Sequence, residues 1–320
     1  MLARALGRLC ARPALLAGVL AGMLADGCTT TSASRLSYGV SELRDELAAR
    51  LPDVPREELV IPFEVDASTV GRARALAGRG DEESRLRALA SALASPRGFS
   101  LRYIWAVNNS ARHTLDAGGG NCMGLTSLLI GLARELGLRA YYLDVSLNPA
   151  HHTEQEVTVS AGHIAAVVMV EGRPVYVDFY GELEQRYRYH KIDDLEATAH
   201  YYNNLGYELI HRSEQARQPV RWDDVLRQFE RATRVSPGLA SAWNNLGVAQ
   251  ARLGELERAQ SSYRKALELR PNLASVQTNL LMLARRGEQS LTHSDSDASQ
   301  REERPLTDVV PALESTPTIP

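Results

Sequence analysis

A glycine run leading into an apolar helix with a cysteine in its first turn constrains this chain most. Gly118, Gly119 and Gly120 precede Asn121 and Cys122. Leu125, Leu128, Leu129, Leu132, Ala133 and Leu136 then recur at the i, i+3, i+4, i+7 spacing of a helix. Asn121 is a favoured N-cap, and Gly137 can close the far end. Cys122 therefore sits in the first turn of a buried helix, where unpaired backbone N–H groups and the helix dipole favour an anion and so stabilise a thiolate. The glycines permit a sharp turn and leave room beside the sulfur.

A thiolate nucleophile needs a base, and the base needs an orienting group. Residues His163 to Val170 read as a buried strand, Glu171-Gly172 as a turn, and Arg173 to Phe179 as a second strand. With an even loop and Val170 opposite Arg173, His163 and Asp178 become diagonal neighbours on one face. Their backbones are then about 7–8 Å apart and their side chains closer. An odd loop puts them on opposite faces. The expected roles are Cys122 as nucleophile, His163 as base and Asp178 as its orienter. The bland alternatives are a small buried cysteine and an aspartate that caps backbone or faces water at a strand end.

These motifs together resemble the transglutaminase-like, papain-related superfamily: Gly-Asn-Cys122 opening a helix, a strand starting at His163, and Val-Asp178-Phe. Asn108 to Thr114 and Leu132 to Leu138 also fit a bacterial branch that joins such a domain to tetratricopeptide repeats. Relatives often carry a polar residue where this chain has Ala165. The resemblance implies an α+β fold, with the cysteine helix packed on an antiparallel sheet and an all-α repeat segment after it. It also implies an exported Cys-His-Asp enzyme, with neither cofactor nor metal, that cleaves or transfers amide bonds through a thioester. Peptide hydrolysis is preferred over crosslinking, because exported relatives include peptidases and water is always available. Two other readings stay open. One is a catalytically vestigial peptide-binding adaptor lipoprotein of the cell envelope. The other is a purely structural envelope lipoprotein.

Repetition appears after Ile192. Pro237 and Pro271 lie 34 residues apart, with Trp243, Leu246, Gly247, Ala259, Tyr263 and Ala266 at tetratricopeptide positions between them. Asn203-Asn-Leu-Gly206 recurs 41 residues later as Asn244-Asn-Leu-Gly247. The seven extra residues are assigned to an insertion at 214–220. Such repeats make a concave surface that takes peptides. Asn204 and Asn245 hold first-helix positions that bind partner carboxylates in some relatives, and repeat consensus explains them equally. So few repeats are near the minimum for stability, so they are expected to pack on the catalytic domain.

The expected organisation is a signal peptide at 1–28, a tether at 29–37, the transglutaminase-like domain at 38–198, repeats at 199–286 and a disordered tail at 287–320. Arg4, Arg8 and Arg12 precede a short apolar run, and Ala25-Asp26-Gly27-Cys28 resembles a bacterial lipoprotein processing site. Cys28 is then lipidated and holds the chain on the periplasmic face of a bacterial membrane. Thr29 after it points to the outer membrane. An ordinary cleaved signal peptide is the other reading. Loss of Cys10 and lipidation of Cys28 leave Cys122 as the free thiol of an oxidising compartment. A net charge of −3 gives no sign of a nucleic-acid partner. The expected partners are a peptide or protein at the repeats and a membrane through the lipid.

Within 40–100 the pattern is helical, with Ser41 expected as an N-cap and Asp81 opening a helix that carries Leu86, Leu89 and Leu93. Leu101 to Val107 is read as another helix, with Ile104 and Trp105 packing the catalytic domain. Residues 146–161 are read as a polar loop over the active site. His151, His152, Glu154 and Glu156 in it match no standard metal-ligand spacing. His113, His190, His200, His211 and His293 read as surface or packing residues.

Overall fold

The computed structural model describes residues 35–145, 150–154, 157–161, 163–180 and 189–285. The signal segment, Cys28, most of the tether, Glu156, His293 and the tail at 287–320 lie outside the described residues, as do the side chains of His151, His152 and Glu154.

Three helices come first: α1 (Val40–Arg50), α2 (Ala67–Ala77) and α3 (Glu82–Ala94). Asp66 and Asp81 cap α2 and α3 by accepting the N–H groups of Thr69 and Ser84. α1 starts one residue before Ser41, and Gly39 is its N-cap. The carboxylate of Glu42 accepts the Gly39 N–H at 3.4 Å, the N3 half of a capping box. Leu43, Leu47, Leu86, Leu89 and Leu93 all point into the core.

Residues 101–107 are not a helix. Arg102–Tyr103 form a short strand, β1, followed by α4 (Ala111–Asp116), and β1 pairs in parallel with β2 (Gly119–Gly120). The backbones approach so closely that a Cβ at Gly119 would lie 2.2 Å from the Arg102 carbonyl oxygen. The glycine run thus admits a long-range pairing that overrides local helical pattern.

The helix α5 (Cys122–Glu135) is buried along almost its whole length. Asn121 caps it by accepting the Gly124 N–H at 3.2 Å. At the far end the Gly137 and Leu138 N–H groups close back onto Arg134 and Ala133. Four antiparallel strands lie beside it in the order β7 (Arg173–Val177), β6 (Ile164–Val170), β3 (Arg139–Asp144), β8 (His190–Ile192). Ile164, Ala166, Val168 and Val170 join the α5 core, whereas Ala165 and Val167 pack with Leu143 and Val145 on the other face. β6 reads as an unbroken apolar run because both of its faces are covered. Residues expected as a loop after β3 contain a hairpin, β4 (Ala150–Glu154) with β5 (Val157–Ala161).

The repeat segment is α6 (Asp194–Gln215), α7 (Trp222–Val235), α8 (Ala240–Arg252) and α9 (Leu256–Leu269), with residues 274–285 again helical. β5 lies against α6 and α8. Gly206 faces Phe229 and Gly247 faces Tyr263, and a Cβ at either glycine would fall within 2.6 Å of the ring. These two contacts explain the repeated Leu-Gly: each first helix must admit an aromatic ring from its partner helix. The seven extra residues divide between the last turn of α6, longer than that of α8 by four residues, and the loop to α7, longer by three.

The expected boundary after residue 198 falls inside α6. The cause is a shared core: Leu195, Ala199, Tyr202, Ala232, Val235 and Ala242 belong to the same apolar cluster as α1 and α5. Arg134 also grips the buried Asp194 carboxylate with two bonds, 2.8 and 2.9 Å, and the Tyr38 N–H donates to it at 2.8 Å. The chain is thus a mixed helix-and-sheet protein, mostly helical, whose C-terminal helical segment shares its core with what precedes it.

Candidate functional site

Glu171 and Gly172 form the loop between β6 and β7, both with positive φ (49° and 79°), the conformation of a tight two-residue hairpin turn. Val170 faces Arg173, and the ladder runs to Ala166 opposite Val177. The loop is therefore even. His163 lies just before β6 and Asp178 just after β7, at the open end of the hairpin. His163 Nε2 donates to Asp178 Oδ2 at 2.8 Å, and Asp178 Oδ1 accepts the Tyr180 N–H at 2.9 Å. With Nε2 occupied, Nδ1 is the ring nitrogen left for the thiol.

Cys122 is the first residue of α5 and is 6 % exposed. It interacts with His163. Burial opposes a charge on the imidazole, but hydrogen bonds to Asp178 and then to Cys122, with their negative charge, outweigh it. The pKa of His163 is pushed up to about 10. The structure thus brings Cys122, His163 and Asp178 together at one corner. Ala165 is fully buried and plays no part in holding His163.

Aromatic rings surround this corner. Tyr180 is 62 % exposed and its ring centroid lies 5.7 Å from that of His163, 5.6 Å from Tyr103 and 6.0 Å from Trp105. Trp105 is 44 % exposed and is not packed into the interior. The Tyr103 hydroxyl approaches the Cys122 backbone N–H without completing a good hydrogen bond. Burial first, and then the nearness of the acidic groups Cys122, Tyr180 and Asp178, pushes its pKa up, so it stays protonated.

Cys122 opens into a cleft of about 410 Å³, part of it open solvent. Tyr103, Trp105, Asn108 and Asn121 line one side. Asn204, Tyr207, Glu208 and His211 of α6 line the other. Asn108 ties the two sides together. Its N–H donates to Glu208 Oε2 (3.2 Å), its Nδ2 to the Tyr201 carbonyl (3.0 Å), and its Oδ1 accepts from Asn121 (3.4 Å). Burial pushes the Glu208 pKa up, although Arg212 beside it works the other way.

The two asparagines singled out for binding lie in different surroundings. Asn204 lines the cleft, is 4 % exposed, and its Oδ1 has no hydrogen-bond partner among the described residues. Asn245 is fully buried and donates to Asn203 Oδ1 at 2.8 Å, accepting in turn from Asn244 at 3.1 Å. Sequence reasoning gave no site role to Tyr103, Tyr207 or Glu208, used Asn108 only within a family-like segment, and read His211 as a surface or packing residue. The spacing 204, 207, 208, 211 is a helical stripe that carried the signal for Tyr207, Glu208 and His211. Among the described residues no group of three or more His, Cys, Asp or Glu is placed to hold a metal.

Residues 240–273, which span α8 and α9, match the tetratricopeptide repeat family. The chain is 33% identical over 79 residues to the tetratricopeptide repeat domain-containing protein PYG7, chloroplastic, of Arabidopsis thaliana, covering 25% of this chain and 24% of that protein. It is 37% identical over 49 residues to the heat shock protein STI1 of Saccharomyces cerevisiae, covering 15% and 8%. The chain thus spans about a quarter or less of the curated relatives it matches. A tetratricopeptide repeat is present, and such repeats are modules of protein–protein interaction.

Proposed function

We propose that this chain is a peptide-binding thiol enzyme in which a transglutaminase-like Cys122–His163–Asp178 site acts on a protein or peptide held beside the repeats. The observation that carries the reading is the His163 imidazole, bonded to Asp178 at 2.8 Å and hydrogen-bonded to Cys122 at the start of α5. In this reading the Cys122 sulfur attacks an amide carbonyl carbon. The C–N bond breaks, the amine leaves with a proton from His163, and a thioester remains. Water or a second amine then attacks the thioester and gives a proton to His163, and the C–S bond breaks to release the Cys122 thiolate, restoring the starting pair. In this reading the developing oxyanion lies at the start of α5, where the Cys122 N–H and the protonated Tyr103 hydroxyl can serve as donors. Hydrolysis is the preferred outcome.

A second reading has its own support. The comparisons speak for protein binding, which is also what an adaptor with a vestigial thiol site does. One experiment separates the two. The full chain and Cys122→Ala are incubated with a pool of fluorescence-quenched peptides, with and without dansylcadaverine as an acceptor amine. The enzyme reading requires Cys122-dependent cleavage or amine incorporation. If neither occurs and Cys122 is inert to iodoacetamide in the folded chain, the adaptor reading replaces it.

The same proposal places the chain on the periplasmic face of a bacterial membrane, the outer membrane by preference, through acylated Cys28. Mass spectrometry of the mature N-terminus decides this. An unmodified Cys28 removes the anchor and leaves the thiol chemistry untouched.

A further inference from the structure

We infer that α6, the first helix of the repeat segment, is the specificity wall of the thiol cleft, and that it selects a peptide segment with a bulky apolar side chain and a backbone N–H donor. The chemistry that such a peptide meets rests on the thiol-enzyme reading; the recognition rests on the cleft alone. Asn204, Tyr207, Glu208 and His211 fall at i, i+3, i+4 and i+7 on α6, so one stripe of a single helix faces Cys122. A repeat helix that only bound a remote partner would not form part of the thiol's own pocket.

Two features of the stripe define the ligand. The first is Asn204. Its amide is 4 % exposed, yet its Oδ1 accepts nothing among the described residues. A buried acceptor left open is unfavourable in the free protein, and a turn of the Asn204 side chain toward the cleft lets a ligand N–H satisfy it. A peptide in an extended conformation beside Cys122 offers such a donor at alternate residues. The second is the aromatic rim. Tyr207 stands on the α6 side and Tyr103 and Trp105 on the other, with Trp105 left 44 % exposed. Rings that flank a cleft in this way bury an apolar side chain rather than a polar one.

Asn108 makes the wall rigid. It joins the cap of α5 to Tyr201 and Glu208 of α6, so the distance from Cys122 to Asn204 is fixed by buried hydrogen bonds rather than by a flexible linker.

The test uses reagents that alkylate Cys122 while carrying a peptide-like group into the cleft: iodoacetyl-phenylalanine dimethylamide, its alanine counterpart, and the N-methyl-phenylalanine form, which has no N–H left. Rates on the full chain are each divided by the rate of the same reagent with free cysteine. The phenylalanine reagent should exceed the alanine one by about tenfold, the effect of partly burying a phenyl ring. Removing the N–H should lower the rate by about 2–10-fold, the loss of one neutral hydrogen bond. Asn204→Leu should erase the N-methyl effect and keep the phenylalanine preference. Trp105→Ala, a change at an exposed ring, should do the reverse. Equal rates for all three reagents, or an N-methyl effect that survives in Asn204→Leu, overturn the inference. If Cys122 alkylates with nothing, the enzyme reading fails. Equilibrium dialysis of N-acetyl-phenylalanine methylamide against its alanine counterpart then decides the wall: tighter binding of the former, weakened in Trp105→Ala, supports it, and equal binding refutes it.

Discussion

Two sets of buried polar groups, the asparagine ladder between the repeats and part of the lining of the thiol cleft, are completed to different degrees. In the repeats, asparagine amides form a ladder: Asn245 donates to Asn203 and Asn279 to Asn244 (2.9 Å) between the first helices of neighbouring repeats, and Asn244 donates to Asn245 along α8. Around Cys122, polar atoms are buried but left incomplete, as with Asn204 Oδ1 and the Tyr103 hydroxyl. A satisfied network fixes one register of helix on helix. An unsatisfied one costs stability and persists where a ligand completes it. The contrast separates asparagines that build the stack from one that lines the cleft, even where both hold the same repeat position.

The largest effect that tests this contrast is chemical. In the proposed thiol-enzyme reading, Cys122→Ala should abolish turnover. His163→Ala should reduce it by about 10²–10⁴-fold, the contribution of a positioned general base. Asp178→Asn should leave weak activity, because it disturbs the orientation of His163 more than the chemistry. Substitutions in the asparagine ladder should not reproduce this pattern at equal folded fraction. If Asn245→Ala stops turnover in fully folded protein, the ladder is not merely structural.

Next comes stability on the repeat side. A Cβ at Gly247 meets the Tyr263 ring at 2.6 Å, and one at Gly206 meets the Phe229 ring at 2.5 Å. Gly247→Ala and Gly206→Ala should each lower stability by about 1–3 kcal/mol, the usual effect of overpacking. Because α6 carries the cleft wall, only Gly206→Ala should also slow Cys122 alkylation by the phenylalanine reagent. Denaturant melts and alkylation rates on the same samples check both.

Much of this division was legible in the sequence. The α5 cap, the even hairpin loop and the repeat glycines are local signals, each carried by a few adjacent residues. What escaped depended on distant partners. Leu101 to Val107 has helical pattern, but Arg102–Tyr103 pairs with glycines in a strand because Gly119 lets the backbone in. Trp105 was expected inside the domain, and its exposure follows from the cleft beside it. Residues 150–161 carry too few apolar groups to read as a hairpin, and β5 takes its support from α6 and α8. The cleft wall was hidden because its stripe on α6 acquires meaning only once α6 is placed beside Cys122.

A third prediction concerns pH. An unfolded histidine titrates near 6.5, and His163 in the fold is raised to about 10. Between these values the folded chain holds a proton that the unfolded chain has lost. The contribution of His163 is therefore complete below about pH 6.5 and declines as pH rises toward 10. Thermal melts from pH 6 to 9, below the titration of exposed tyrosines near 10, should show the wild type losing stability faster with pH than His163→Gln. Parallel curves would mean that the charged imidazole is not held by Cys122 and Asp178.

The smallest expected effect discriminates most sharply between the two asparagines. Asn245→Ala removes a donor from Asn203 and an acceptor from Asn244, leaving both partners buried and incomplete. That should cost about 1–3 kcal/mol. Asn204→Ala removes an oxygen that had no partner among the described residues, so the desolvation penalty it carried disappears with it. The small void left behind works the other way, and the net change should lie within about 1 kcal/mol of zero. Repeat position and residue type are matched in this pair, so the difference between the two melts reports on the state of the amide. If Asn204→Ala destabilises as much as Asn245→Ala, the Asn204 amide is a strut of the fold, and its place in substrate recognition falls with that result.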